Sequence, residues 1–357
     1  MKTPAIAISS TRQWNPGDEF ILMGVRRVLS EAIGLFHPIL FNRNPMLRGL
    51  GTRREWLDRV LKRTIGKGLF PTWIENSLSE RHPPGLADIA VFAGSPEWTG
   101  ARAQALYEIV ARDHIPVVFL GLGSQSPRHP EDFTALEKDA LQRASLITAR
   151  DALTRDALIA AGLTCKPLCP CPALFSAPEE RPVTFVKRVA LGAVSRITQG
   201  QRVGDDLYEF IEHVYPRLEQ SLNREGIECV YVAHHVDDLA SARAMGKNVF
   251  YSYDAADYVS FYPSVDFVVT PRVHGIGLAA SCGVPGAGLA HDPRADTMQG
   301  FLAPVFSVAQ GEEYIQASIL SEIRQAPKRS RELILHKHAC KAELIAWIKE
   351  ALPEYAV

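Results

Sequence analysis

A chain of 357 residues is longer than one hydrophobic core usually grows, so two domains are expected. Its 46% hydrophobic and 22% charged residues are those of an ordinary soluble globular protein. A formal net charge of -1 argues against a general nucleic-acid binder, so any partner is drawn by local patches. The N-terminal apolar run is too short for a signal peptide and no stretch approaches bilayer-spanning length, which predicts a cytoplasmic protein. Six scattered cysteines make no disulfide framework. Cys165, Cys169 and Cys171 cluster, but without a second ligand pair they read as small buried hydrophobes rather than metal ligands, and no metal site is expected.

Residues 5–9 read as a first strand, and Asn15, Pro16, Gly17 and Asp18 form a turn opening a helix over 19–32. Strand, glycine-containing turn and helix in that order begin a doubly wound domain, whose ligands lie at the carboxyl ends of its strands. Asp18 either caps this helix or faces such a ligand. A second strand covers 37–42. The segment 43–67 carries eight Lys and Arg against Glu55 and Asp58, with Trp56, Leu57, Val60, Leu61 and Ile65 at helical spacing. It reads first as a solvated face over a core stripe, and second as a helix lying on an anionic membrane.

Residues 87–93 are the clearest strand of this half. Trp98, in the loop that follows, stacks on a sugar ring or packs under the next helix, over 100–113. The strand over 115–121 ends in Gly121, Gly123 and Ser124, where a glycine pair lets the backbone approach a phosphate or sugar. A helix over 135–145 and a strand over 146–149 lead to Arg150 and Asp151, which open a helix over 152–161 that Gly162 closes. Arg150 either binds an anion or pairs with Asp151 or Asp156.

The Pro-containing stretch 176–182 is the best boundary, giving an N-terminal domain over 1–178 and a C-terminal one over 179–357. The second half alternates again: strands at 189–194, 228–233 and 249–251, and helices at 205–223, 237–245 and 255–262. This predicts a second doubly wound domain. His234 and His235 end a strand at the ligand edge, and since adjacent residues point to opposite faces only one of them is expected to be functional. Phe267, Val268 and Val269 form a buried strand that Thr270 and Pro271 end. Arg272 and His274 then fall at a turn before Gly275, Gly277 and a small-residue helix over 278–282, so two side chains and a helix N-terminus share one spot. This reads either as an anion site or as Arg272 capping a neighbouring helix with His274 a satisfied core histidine. A strand at 287–290 leads to Asp292 and Arg294 at another strand end, and a terminal helix over 332–351 is expected to pack back across the junction.

Arg272-Val273-His274-Gly275, followed by Ala-Ala-Ser-Cys-Gly-Val-Pro, resembles the Arg-Leu-His-Gly signature of the polysaccharide pyruvyltransferase family. The Asn15 to Asp18 turn, the Gly121 loop and the Arg-Asp segment from Arg150 to Gly162 resemble the same family in the same order. Cys171-Pro172-Ala173-Leu174 stands where the family usually shows Asp-Pro-Ala-Leu, and Ser95 and Pro96 stand where it commonly shows glycines. The resemblance implies an α/β fold of two doubly wound, Rossmann-like domains facing a cleft, similar to glycosyltransferase-B architecture. It further implies a phosphoenolpyruvate donor and no cofactor, with a sugar or lipid-linked glycan as acceptor, and the second reading of the basic segment 43–67 adds a peripheral contact with the inner membrane. On this reading His274 is general acid or phosphate ligand, and Arg272 and Arg150 bind anions. Asp18 serves as base or hydroxyl-orienting group, while Asn15, Gly17, Gly121, Gly123, Ser124, Gly275, Trp98, His234, Asp292 and Arg294 line the substrates. Two alternatives remain: a nucleotide-sugar glycosyltransferase or epimerase, and a catalytically silent ligand-binding member.

Overall fold

The computed structural model describes residues 3–10, 16–42, 82–94, 98–100, 102–126, 128–198, 201–202, 204–290 and 293–357. Strands β1 (Ala5–Ser10), β2 (His37–Asn42), β3 (Ile89–Ala93), β4 (Val117–Leu122) and β5 (Leu146–Ala149) form a parallel sheet in the order β2-β1-β3-β4-β5. A second parallel sheet takes β6 (Arg188–Gly192), β7 (Glu228–Val232), β8 (Val249–Phe250), β9 (Phe267–Thr270), β10 (Gly286–Ala290) and β11 (Val305–Ser307) in the order β8-β7-β6-β9-β10-β11. The fold is thus α/β with two doubly wound sheets of the glycosyltransferase-B kind. Strand order reverses between β1 and β3 in one sheet and between β6 and β9 in the other, and such reversals open crevices at the strands' carboxyl ends.

The helices are α1 (Pro16–Ile33), α2 (Gln104–Asp113), α3 (Ala135–Gln142), α4 (Ala152–Ala160), α5 (Asp205–Arg224), α6 (Val236–Ala244), α7 (Ala255–Phe261), α8 (Val273–Ser281) and α9 (Glu312–Ala351). Helices cover both faces of each sheet, so the strands can be apolar along their whole length: every residue of β3, β4 and β9 is buried. One apolar cluster fills the face shared by the two sheets. It joins Ile6 and Val91 to Val230 and Val268 through Phe20, Val25 and Leu29 of α1 and Ile276 and Leu278 of α8. α1 is the element at the centre of this junction, against α8, α9 and the turn Pro172–Phe175.

Several boundaries differ from the sequence reading, and three of them bear on the site and the junction. α1 begins at Pro16 rather than residue 19, because a proline's fixed φ suits the first helical position. α8 begins at Val273, so His274 and Gly275 lie within its first turn rather than in a preceding loop. Its glycines suggested a turn but serve close packing: a Cβ on Gly275 would lie 2.6 Å from His234 Cε1, and one on Gly277 2.8 Å from Phe301 Cζ. α9 begins twenty residues earlier than 332, with Pro327 inside it, where a proline ordinarily stops a helix. Ile315, Ile319, Ile323 and Ala326 hold that early part on the second sheet, while Leu344 and Ile348 reach the shared cluster. From α9, buried Lys337 ties down the far end of α8. Its Nζ donates to Ser281 O at 2.6 Å and pairs with Glu180 at 2.6 Å.

Candidate functional site

Arg272 leaves β9 and occupies the N-cap position of α8, with its N–H donating to Thr270 Oγ1 at 3.1 Å. Its Nη2 donates to both oxygens of Asp238, at 2.7 and 2.8 Å. Asp238, in the first turn of α6, is fully buried and also accepts the Ser195 N–H at 3.1 Å. Ser195 follows β6 and Arg272 follows β9, so one carboxylate joins the two loops at the strand-order reversal. Arg272 is therefore positioned by a buried ion pair while its side chain stays 22% exposed. Asp238 had no place in the sequence reading, since an acidic pair in a helix's first turn is common everywhere.

Arg150 follows β5, where its N–H donates to Leu122 O, and its side chain is 1% exposed. Nη1 lies 3.2 Å from His274 Nε2 and 3.4 Å from Cys171 Sγ. Of its expected acidic partners, Asp156 pairs with Arg155 at 3.0 Å and Asp151 stands 3.9 Å from Arg150 Nε. Gly123 makes room for this guanidinium, because a Cβ there would lie 2.3 Å from Nε. Gly17 of α1 abuts the other side of the imidazole, where a Cβ would lie 2.3 Å from His274 Nδ1. The structure thus brings together Arg150 and Gly123 from one sheet, Gly17 from α1, and His274 from the other sheet.

A guanidinium only donates, so His274 Nε2 accepts, the ring is neutral, and its proton sits on Nδ1. Burial holds His274 well below the usual histidine range, helped by the charges of Arg150 and Arg294 and by His234. Arg294 lies half-buried in the turn Pro293–Phe301, close enough for its charge to reach the imidazole. Asp18 is buried in the first turn of α1, next to Gly17.

Other expected residues serve as support. His234 is buried with Nε2 2.9 Å from Tyr262 Oη, edge-on to Phe20 and Tyr258. Burial pushes it down to about 3, with Arg272 and His235 adding to the effect. It is a packing residue behind α8 rather than a ligand contact. Trp98 is likewise buried, so it stacks on no sugar. Its Nε1 donates to Gly123 O at 2.9 Å, its own carbonyl accepts from Tyr107 Oη of α2, and it thereby anchors the glycine loop. Gly121 has φ +67° and presses on Pro172, while its N–H donates to Thr148 Oγ1, so its backbone faces protein rather than substrate. Ser124 donates through Oγ to Ser126 O at 2.7 Å. The Gly275 N–H donates to Arg272 O at 2.9 Å and is not offered to an anion. Asn15, Asp292 and the basic segment 43–67 lie outside the described residues.

Sequence reading also missed Ser9 and Ser10, whose buried hydroxyls close β1 at the first sheet's reversal without a hydrogen-bond partner among the described residues. Serines at the end of an apolar strand carry no distinguishing pattern. Among the described residues no group of three His, Cys, Asp or Glu could hold a metal ion, and all six cysteines are free.

A family model described as polysaccharide pyruvyl transferase matches residues 15–293. A search of curated proteins found no relative. Among solved structures, a putative UDP-N-acetylglucosamine 2-epimerase from Listeria monocytogenes is similar with a TM-score of 0.59 at 13% identity, covering 99% of this chain and 98% of its own. The UDP-GlcNAc 2-epimerase of Neisseria meningitidis, bound to UDP-GlcNAc, gives 0.51 at 12% identity over 92% and 93%. At such identities the likeness concerns the fold alone.

Proposed function

The chain belongs to the polysaccharide pyruvyl transferase family, and on that premise we propose that it transfers a pyruvyl group from phosphoenolpyruvate to two hydroxyls of a sugar. The observation that carries this reading is the part-buried meeting of Arg150 and His274 between the two sheets, with Arg272 and Arg294 close by. Phosphoenolpyruvate brings a phosphate and a carboxylate, and guanidinium forks suit both. In the reaction the methylene carbon takes a proton and one sugar hydroxyl bonds to the adjacent carbon. The bond to the phosphate oxygen breaks, and the second hydroxyl closes the ketal. Of the two hydroxyl protons, one ends on the new methyl group and the other leaves with phosphate.

His274 rests neutral, so it can hold the proton of a general acid only once an anionic donor offsets the charges of Arg150 and Arg294. The bound donor then raises the imidazole's proton affinity, and the imidazolium donates to the methylene carbon or holds the phosphate. Asp18 orients an acceptor hydroxyl or takes its proton. The acceptor is a sugar, free or lipid-linked, of a cell-surface polysaccharide precursor, and work on a lipid-linked one would hold the protein peripherally at the inner membrane. No helix among the described residues is long and apolar enough to cross a membrane.

Calorimetric titration tests the reading, with phosphoenolpyruvate and nucleotide sugars offered separately to the wild type and to Arg150→Ala. Phosphoenolpyruvate should bind, and loss of the guanidinium should lower turnover about a hundredfold. Binding of a nucleotide sugar alone would instead assign the protein to glycosyl transfer or epimerisation.

A further inference from the structure

Arg150 is a buried cation with little counter-charge around it among the described residues. Burying a charge is costly unless it is paired and hydrogen-bonded, and its Nε makes no hydrogen bond. The nearest carboxylate, Asp151, stays 3.9 Å from Nε and is engaged elsewhere: it accepts the Thr154 N–H at 2.8 Å and the Ser124 N–H at 3.4 Å. Nη1 is divided between the neutral imidazole of His274 and the sulfur of Cys171, a weak acceptor. Cys171 is fully buried and opens the turn Pro172–Phe175, on which α1 packs, so its sulfur is fixed relative to the guanidinium.

Resting on the anion-binding reading above, we propose that Cys171 sets the anion affinity of Arg150. A thiol here holds the guanidinium in place without neutralising it, and so keeps its charge for the oxyanion of a bound substrate. A carboxylate in the same place would pair with Arg150 directly and compete with that oxyanion. The imidazole would register the change, because the charges facing His274 are Arg150 and Arg294, with His234 behind it and Asp18 and Glu19 following Gly17 on α1.

The test compares Cys171→Asp with Cys171→Asn, which matches aspartate in shape and lacks its charge. Binding of inorganic phosphate is measured by calorimetry, and titration of His274 is followed by NMR. The Asp variant should fold at least as stably as wild type, bind phosphate about tenfold or more weakly, and titrate His274 at higher pH. The Asn variant should stay within about threefold of wild type, since the change in charge and not in shape is what matters. An Asp variant that binds phosphate like wild type, or fails to fold where Asn folds, overturns the proposal, as does an Asn variant equally impaired. Absence of phosphate affinity in the wild type would overturn the anion-site reading instead, and the His274 titration would still decide the role of Cys171.

Discussion

His274 and Arg150 stand 3.2 Å apart, and that hydrogen bond survives only while the imidazole is neutral. The unfolded chain protonates its histidines near 6.5, whereas native His234 does so only at about 3 and His274 also lies far below the ordinary value. Between those limits the unfolded state binds more protons, so stability rises with pH and is lost on acidification below about 6.5. Each imidazole contributes at most about 1.4 kcal/mol per pH unit. Urea midpoints should therefore fall between pH 7 and pH 5, and His234→Gln should flatten the fall; a midpoint unchanged over that range would show that neither ring is held neutral. Asp238 permits a second prediction. Asp238→Ala leaves a largely buried arginine and the Ser195 N–H without their carboxylate, at a cost of about 3 kcal/mol in urea unfolding. Asp238→Asn, which keeps an acceptor, should lose less stability. Arg150, Arg272 and His274 were legible because each follows a strand and opens a helix. Their partners were not, because the contacts join residues 124 and 34 positions apart, which only the strand order brings together.

At the scale of elements, α1 shows how glycine spacing encodes contact. A Cβ on Gly24 would lie 1.7 Å from the carbonyl oxygen of Pro172, a backbone atom that cannot turn aside. Gly24→Ala should therefore lower thermal stability by about 1–3 kcal/mol despite alanine's better helix propensity. Gly17→Ala meets His274 instead, 2.3 Å from Nδ1, which can swing away, and 2.9 Å from Cβ, which yields only by a small shift of α8. It should cost less stability than Gly24→Ala while lowering turnover about tenfold or more. Equal losses of stability in the two variants would mean that the imidazole is as immovable as the backbone. Strands and alternating helices were readable from apolar runs and caps. The start of α8 and the length of α9 were not, because Gly275, Gly277 and Pro327 signal turns locally and only tertiary packing overrides them.

For the whole molecule, the alternation of elements was enough to predict two doubly wound sheets, since a parallel strand needs a crossover and the crossover takes a helix. The way the sheets meet was not readable, because α1 and α9 are amphipathic helices whose partners the pattern does not name. Phe20 of α1 lies against His234 and Tyr258, and residues of both sheets share one apolar cluster with Ile348 and Leu352. Neither half can come away without opening that cluster to water. Heat should therefore melt the chain in a single endotherm whose calorimetric and van't Hoff enthalpies agree, and two resolved transitions would show that the shared cluster couples the halves weakly. Cooperativity of this kind passes a flaw anywhere in the junction to both halves: a cavity cut at Phe20 would loosen β7 as much as β1.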